Sequence, residues 1–292
     1  MRKILMAGSA MVLAGVGSAA AADFPTPVYE APVYETQVSH PVAAAGGWYL
    51  RGDVGYNWRE LKGAHYQTAT GPANFTTASL KNGYSVGGGV GYQIRSYLRT
   101  DLTLDYLSKS DFTGSTGPGG PCTINGAFFA APNCVSKDLS TWSALSLLAN
   151  VYVDMGTYGR FTPYVGAGIG GSRVKWGSLQ NTECEAGNPA NCNNTSIEHG
   201  GKAEWRFTSA LMLGTAVKIN CKLKADVGYR YRRIEGGQMF AYNGVVNSGP
   251  GFDKALNIHE VRGGLRYSLG AGDCAQEEIY IEPAPIMPTV YK

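Results

Sequence analysis

Apolar and polar side chains alternate without interruption between Trp48 and Trp58. One set holds large apolar or aromatic residues and one glycine, at positions 48, 50, 52, 54, 56 and 58. The other set includes Arg51 and Asp53. Because successive side chains of a strand point to opposite sides, this segment predicts a strand with one apolar face and one charged face.

The same alternation recurs in seven later segments, so the sequence predicts eight strands. They run over about 48–58, 83–95, 98–106, 141–154, 161–176, 203–217, 223–233 and 258–269. In the fifth strand, glycines follow Ile169 and blur the alternation. We therefore expect a β-bulge there and assign no facing to the second half of that strand.

The connections between the predicted strands alternate in length. The short ones are 95–97, 155–160 and 218–222, and the long ones are 59–82, 107–140, 177–202 and 234–257. Bacterial outer-membrane barrels combine short periplasmic turns with long outer loops. An even strand count then predicts that both termini are periplasmic and that the four long connections face outward.

The two faces distinguish between two kinds of closed barrel. Apolar side chains outside and charges inside predict an all-β, eight-stranded antiparallel transmembrane β-barrel in the outer membrane of a Gram-negative bacterium. A soluble lipocalin-like barrel is the alternative, and it requires an apolar lumen. The 40 glycines among 292 residues, about twice the average usage, favour small, strongly curved strands. Beyond the first 22 residues no apolar run approaches the length of a spanning helix.

The ends of the chain differ in composition from the predicted barrel. Arg2 and Lys3 precede an apolar stretch and a run of small residues, which predicts a signal peptide over 1–22, cleaved after Ala21 or Ala22. A Pro-rich leader follows over 23–45, the barrel spans 46–269, and a Pro-rich tail spans 270–292. Such tails either reach the cell wall or serve as spacers. Loss of Arg2 and Lys3 lowers Lys+Arg from 25 to 23 against 22 Asp+Glu. The mature chain is therefore nearly neutral, and nothing indicates a nucleic-acid partner.

The inward faces carry nearly balanced charges. The predicted lumen network consists of Arg51, Asp53, Arg99, Asp101, Asp105, Asp154, Glu204, Arg206, Lys224, Asp226, Arg230, Arg232, Glu260, Arg262 and Arg266. An eight-stranded barrel is only wide enough to hold side chains, so we expect these groups to pair and to plug the lumen. A narrow ion pathway of low conductance is the alternative.

Six cysteines in an exported chain are expected to pair. Cys122 and Cys134 share the second long connection, and Cys184 and Cys192 share the third. Cys221 lies in the last short turn, and Cys274 follows the last strand near the same rim. These positions predict three disulfides. A zinc site formed by Cys184, Cys192 and His199 is the alternative.

No catalytic motif emerges from the sequence. Gly166, Gly168 and Gly171 match a dinucleotide fingerprint, but no helix follows them. His259 is the one histidine positioned for acyl chemistry at a lipid interface, and no motif links it to Ser209 or Glu260. We therefore expect neither an enzyme nor a cofactor, with a lipid A-modifying enzyme as the alternative.

Three short segments resemble the small outer-membrane β-barrel surface-antigen family of alphaproteobacteria, often labelled porin-like. They are Gly47-Trp48-Tyr49-Leu50-Arg51-Gly52, Thr162-Pro163-Tyr164-Val165-Gly166-Ala167-Gly168 and Asp226-Val227-Gly228-Tyr229-Arg230-Tyr231. The last strand also resembles the signal read by the barrel-insertion machinery, through Arg262, Gly264, Tyr267 and Leu269. A tail follows this signal here, whereas many barrels end at it.

The resemblance implies a structural protein that contacts outer-membrane lipid and lipopolysaccharide and exposes disulfide-stapled loops at the cell surface. Some members of the family are thought to be joined to peptidoglycan through a mature N-terminus that begins Ala-Asp. Ala22 and Asp23 match that pattern if cleavage follows Ala21. The amine of Ala22 is therefore the expected attachment point.

Overall fold

A computed structural model describes residues 46–68 and 71–270 of the chain. Every helix or strand assigned within these residues is a β-strand. No helix in the described part is long and apolar enough to cross a membrane. The predicted signal peptide, the leader and all but the first residue of the tail lie outside the described residues, and so does Ala22.

Sixteen strands are present in the described residues. They are β1 (Gly47–Leu61), β2 (Ala64–Thr68), β3 (Gly71–Asn74), β4 (Thr77–Leu80), β5 (Gly83–Arg95), β6 (Leu98–Ser115), β7 (Cys122–Ile124), β8 (Ala127–Phe129), β9 (Cys134–Asp154), β10 (Phe161–Trp176), β11 (Leu179–Glu185), β12 (Asn188–Cys192), β13 (Ile197–His199), β14 (Ala203–Lys218), β15 (Leu223–Phe240) and β16 (Gly251–Ser268).

Eight of these strands form a closed antiparallel ring. Its order is β1, β5, β6, β9, β10, β14, β15 and β16, and β16 pairs back onto β1. The closing seam runs from Tyr49 opposite Ser268 to Leu61 opposite Leu256. Closure leaves no unpaired edge in the ring, as a sheet in hydrocarbon requires. The predicted eight-stranded antiparallel barrel is confirmed.

The predicted facing of the side chains holds in the part of the ring that we call the belt. The belt comprises residues 48–58, 84–94, 98–106, 145–153, 161–169, 205–217, 223–231 and 259–269. Its large outward side chains are apolar, and Val54, for example, is 64% exposed. Its inward side chains include Arg99 and Arg230, each 1% exposed. A soluble lipocalin-like barrel would show the opposite arrangement.

Beyond the belt, on the side of the long connections, the facing inverts. We call this part the loop-end section; it comprises residues 59–68, 71–83, 107–144, 170–204 and 232–258. Phe112, Trp142 and Trp176 are buried inside it, whereas Lys81 and Asp111 form an exposed ion pair on its outer surface. The hydrophobic effect therefore drives apolar groups inward in this section, as it does in a soluble protein.

The strands are longer than the sequence predicted. β6 extends to Ser115, β9 begins at Cys134, β15 extends to Phe240 and β16 begins at Gly251. The segments expected to be loops contain β2–β4, β7–β8 and β11–β13, of which β2, β4 and β11 pair with ring strands. The prediction relied on the apolar-outward pattern, and that pattern ends at the edge of the belt.

The bulge predicted in the fifth strand is wrong. β10 pairs with both β9 and β14 without a register shift. Ile169 and Arg173, at odd-numbered positions, both face outward. Val174 and Trp176, at even-numbered positions, both face inward. The backbone alternation is therefore intact, and only the chemistry of the two faces changes. In β6, by contrast, a register shift does separate Leu107 from Ser110.

Aromatic rings fill the interior of the loop-end section. Phe112 lies 6.2 Å from Phe75 and 5.4 Å from Trp176, measured between ring centroids. Phe240 packs against Trp176 at 5.6 Å. The apolar side chains of this cluster also include Leu107, Val174, Ile234, Leu256 and Ile258. The ring is thus filled by charges at one level and by an apolar core at the other.

Candidate functional site: the barrel interior and the loop-end cavity

Ion pairs link several strands across the belt interior. Arg51 of β1 contacts Asp53 at 2.8 Å and Asp101 of β6 at 2.7 Å. The Asp53 carboxylate also forms an ion pair with the Arg262 guanidinium of β16, at 2.6 Å. Asn150 of β9 donates to Asp101 at 2.7 Å. These contacts join four ring strands through their inward side chains.

A second group centres on Arg230 of β15. Its guanidinium contacts Asp105 and Glu260, each at 2.8 Å. Arg232 shares Asp105 at 3.0 Å, and Ser85 donates to Glu260. Each of these charged side chains is at most 2% exposed. Such pairs offset the cost of burying charge only where the geometry is good, as it is here.

Aromatic rings support the ion pairs nearest the short turns. Arg99 pairs with Asp154 at 3.0 Å and stacks over the rings of Tyr152 and Tyr164, at 4.1 and 4.6 Å from their centroids. Cation–π contact of this kind adds to the ion pair because the site excludes water.

Other predicted network residues lie at the margins of the lumen. Arg266 is 3.5 Å from Asp226, and Lys224 is half-buried. At the boundary between the two sections, Arg206 of the belt contacts Glu204 of the loop-end section at 3.0 Å, and the Glu204 side chain is partly exposed. The principal partner of Arg206 is Asp253, at 2.7 Å, which the sequence reasoning missed.

The lumen network predicted from the sequence also omitted Arg59. It is buried, donates to Asn57, Ser108 and Ser110, and lies over the Trp142 ring at 4.8 Å. Both Arg59 and Asp253 fall in segments that were assigned to loops. The signal that would have found them is continuation of the two-residue strand alternation beyond the predicted ends of the strands.

The structure contains both predicted loop disulfides, Cys122–Cys134 and Cys184–Cys192. The zinc alternative is therefore wrong for Cys184 and Cys192, whose sulfurs are bonded to each other. No cluster of metal-ligating side chains occurs among the described residues. Cys221 is disulfide-bonded, and its predicted partner Cys274 lies outside the described residues.

The residues considered for lipid chemistry do not converge. His259 lies at the outer face of β16 and hydrogen-bonds the Tyr229 hydroxyl. Glu260 points inward, where it pairs with Arg230. Adjacent residues of one strand face opposite sides, so His259 and Glu260 cannot act on the same substrate atom.

Three residues of the predicted insertion signal lie near the end of β16, and Leu269 directly follows the strand. Arg262 points into the lumen, and Tyr267 and Leu269 are exposed on the outer face. Gly264 packs directly against Asp53, so that a Cβ at this position would overlap the carboxylate. Recognition of these residues by the insertion machinery stays a prediction.

A cavity of about 570 Å³ opens above the aromatic cluster of the loop-end section. All four long connections contribute to its lining. Among the lining residues are Tyr66, Asn74, Phe75, Gly117, Asp138, Asn181, Glu183, His199, Phe240 and Ser248. The sequence analysis gave no indication of this cavity, because it forms only where separate connections meet.

Asp138 is the most buried polar residue of the cavity lining, with an exposure of 0%. Its carboxylate accepts hydrogen bonds from Ser136 and from Asn181, the latter at 2.6 Å. Burial raises the pKa of the Asp138 carboxyl above its usual value, against the opposing effect of these hydrogen bonds. This carboxylate is therefore held among neutral donors, unlike the paired carboxylates of the belt.

Comparison with known proteins places the chain in a family. The family model described as outer membrane protein beta-barrel domain matches residues 9–268. An uncharacterized protein of Brucella suis is 36% identical over 283 residues, covering 88% of this chain and 95% of that protein. A putative adhesin of Rickettsia conorii is 29% identical over 189 residues, covering 63% of this chain and 67% of that protein.

Two solved structures were also found to be similar. Neisserial surface protein A aligns at 16% identity, covering 76% of this chain and 98% of that chain, with a TM-score of 0.37. OprG of Pseudomonas aeruginosa aligns at 12% identity, covering 76% and 96%, with a TM-score of 0.43. On the family match and the Brucella suis relative, the chain belongs to the outer-membrane β-barrel domain family, whose members lie in the outer membrane of Gram-negative bacteria.

Proposed function

We propose that this protein is a non-conducting outer-membrane barrel that presents its four long connections at the cell surface as a contact surface. The observation that carries the proposal is the filling of the ring at two levels. Ion pairs occupy the belt interior, and the Phe112, Trp176 and Phe240 cluster fills the loop-end section. A path for ions would have to cross both layers.

The relatives support a role in surface contact. One of them is named a putative adhesin of Rickettsia conorii. The loop-end section has a folded architecture suited to such a role, because hairpins, ring-strand extensions and two disulfides hold its connections together. A rigid surface loses less conformational entropy on binding than free loops do.

Planar-bilayer recording tests the first half of the proposal. The purified full-length protein is expected to leave the membrane electrically silent under applied voltage. A matched variant, Trp176→Gly with Phe240→Gly, removes two rings from the aromatic cluster of the loop-end section and leaves the belt sequence unchanged. Reproducible unitary steps from the wild-type protein would contradict the sealed barrel.

An epitope insertion tests the orientation. A tag placed between Gly244 and Val245 lies in the fourth long connection, where Val245 is 94% exposed. Antibody is expected to label intact cells that carry this tag. The control is the same tag inserted after Thr157, in a short turn, which is expected to be labelled only after the outer membrane is permeabilised. The reverse pattern would overturn the surface assignment.

A narrow anion pathway is the second candidate. It is favoured by guanidinium nitrogens of the lumen that find no hydrogen-bond partner within the described residues, among them Nε and Nη1 of Arg232 and Nε of Arg230. Such groups bind either ordered water or passing anions. The bilayer recording decides between the candidates, since anion-selective steps that Arg232→Met abolishes would establish the pathway.

We further propose that the amine of Ala22 is joined to peptidoglycan, which would tether the outer membrane to the cell wall. The support is the Ala22-Asp23 sequence at the predicted cleavage site. Mass spectrometry of digested cell walls should find an Ala22-Asp23-Phe24 peptide that carries a muropeptide. A free mature N-terminus in every preparation would end this proposal.

A further inference from the structure

We infer that the loop-end cavity binds a ligand that carries an ammonium or guanidinium group on an aliphatic stem. The inference deepens the proposed contact function and relies on it only for access from the cell exterior. Binding to purified protein does not depend on orientation, so failure of one proposal is distinguishable from failure of the other.

The size and construction of the cavity suit a small ligand or a single side chain. Its volume of about 570 Å³ falls within the usual range for ligand sites. Strands β9 and β11 hold one wall in register, with Asn181 opposite Asp138 and Glu183 opposite Ser136. Residues 117–121 line the cavity next to β9, where Gly119 donates to the Cys134 carbonyl oxygen and the Cys122–Cys134 disulfide anchors the segment. The walls are therefore largely formed before a ligand arrives.

The charges of the lining select the sign of the ligand. Asp138 and Glu183 contribute two carboxylates. The described residues that line the cavity include no lysine or arginine, and their one basic side chain is His199, which interacts electrostatically with Asp138. In the belt, Asp53, Asp101 and Asp105 each contact an arginine within 3.0 Å. Burying a carboxylate without a positively charged partner costs free energy. A ligand cation offsets this cost in the cavity, as the arginines do in the belt.

The rings of the lining suit the stem of the ligand. Tyr66 and Phe75 stand edge to face at 5.3 Å, and Phe240 lies on the side of the aromatic cluster. Rings accept methylene groups by apolar contact and accept a cation over their faces. An anion would meet the two carboxylates, and a neutral polyol would leave them uncompensated.

Isothermal titration calorimetry of the full-length protein in detergent micelles tests the inference with three probes of one length. Cadaverine carries two ammonium groups, 1,5-pentanediol is neutral, and glutarate is anionic. Cadaverine is expected to bind at least about tenfold more tightly than the other two. Equal binding of cadaverine and pentanediol, or no detectable binding of cadaverine, would overturn the inference.

Variants locate the site. Asp138→Asn removes the charge with little change of shape, and Glu183→Gln does the same at a half-buried position. Each is expected to weaken cadaverine binding, Asp138→Asn by about tenfold or more. The matched control is Glu235→Gln, which alters an exposed acid on the outer surface and should leave the affinity unchanged. If Asp138→Asn fails to fold, Glu183→Gln still decides, and unchanged affinity in Glu183→Gln would refute the site.

A fourth probe distinguishes two sources of the cation. N-acetyl-lysine methylamide presents the ammonium stem as it occurs in a protein. Binding of this probe as tight as that of cadaverine would assign the cavity to a basic side chain of a partner protein. Binding of cadaverine alone would assign it to free amines, and both outcomes support the cation site.

Discussion

The same eight ring strands pass through the belt and the loop-end section, yet the interior of the belt is largely charged and that of the loop-end section is largely apolar. In the belt, Arg230 lies inside with Asp105 and Glu260, and Val54 lies outside. In the loop-end section, Trp176 lies inside, and Lys81 pairs with Asp111 outside. The medium around each section explains the difference, because hydrocarbon accepts apolar side chains and water accepts charged ones. One continuous sheet thus places apolar side chains outside where it meets hydrocarbon and inside where it meets water.

The largest effect is expected from removing a charge inside the belt. Arg230→Met removes the arginine that contacts buried Glu260 at 2.8 Å and one of the two arginines that contact Asp105, and it should lower the free energy of unfolding by about 3–5 kcal/mol. The control is Arg233→Met, three residues along β15, where the arginine and its partner Glu235 are exposed. This control should leave stability unchanged. Urea unfolding in lipid micelles, followed by tryptophan fluorescence, measures both, and equal losses would contradict a charge-stabilised belt.

Truncation of an inward ring should produce a loss of nearly the same size in the loop-end section. Trp176→Ala leaves a cavity in the aromatic cluster and should cost about 3–4 kcal/mol of local stability. We expect faster proteolysis of the long connections while the belt stays folded. The control Trp205→Ala truncates an outward ring of the belt. Accelerated proteolysis of the connections in this control as well would mean that the two sections do not have separate cores.

A charge placed on the outer surface should define the boundary between the sections. Leu211→Arg puts a cation on the outward face of the belt and should cost about 2–4 kcal/mol in a bilayer. Leu139→Arg, on the exposed face of the loop-end section, should change stability by less than about 0.5 kcal/mol. Unfolding in bilayers measures both changes. A comparable loss of stability in Leu139→Arg would mean that the belt reaches farther toward the loops.

The smallest effect concerns pH. Because burial raises the pKa of Asp138, its carboxyl group stays protonated in the folded protein at pH values where it has lost the proton in the unfolded chain. Protection of the connections from protease should therefore decrease as pH rises from the usual aspartate pKa through the raised value. Asp138→Asn should remove this decrease. A decrease that persists in Asp138→Asn would have to originate from another group.

Much of the belt was predictable from the chain alone. The alternation around Arg99 and Asp101 fixed which side chains face the lumen, and the position of Cys184 and Cys192 in one long connection indicated their disulfide. Local periodicity carries this information because a strand has a strict two-residue repeat. The strand count, the ring closure and the membrane class followed from it.

The loop-end section was not predictable in the same way. Its strands also alternate, but Arg173 and Val174 occupy faces that the belt pattern assigns to the opposite chemistry. Their inversion therefore resembled a bulge or a loop. The partnership of Arg206 with Asp253 and the cavity around Asp138 depend on connections far apart in the chain.

The sequence by itself determined the number of ring strands and the facing of the belt side chains, because a strand crossing hydrocarbon must keep one face apolar along its length. The tertiary structure alone decided which charges meet in the lumen, where the apolar core begins and how four connections enclose a cavity. Those features depend on ring closure and on the register between strands, which bring together residues that no local pattern relates.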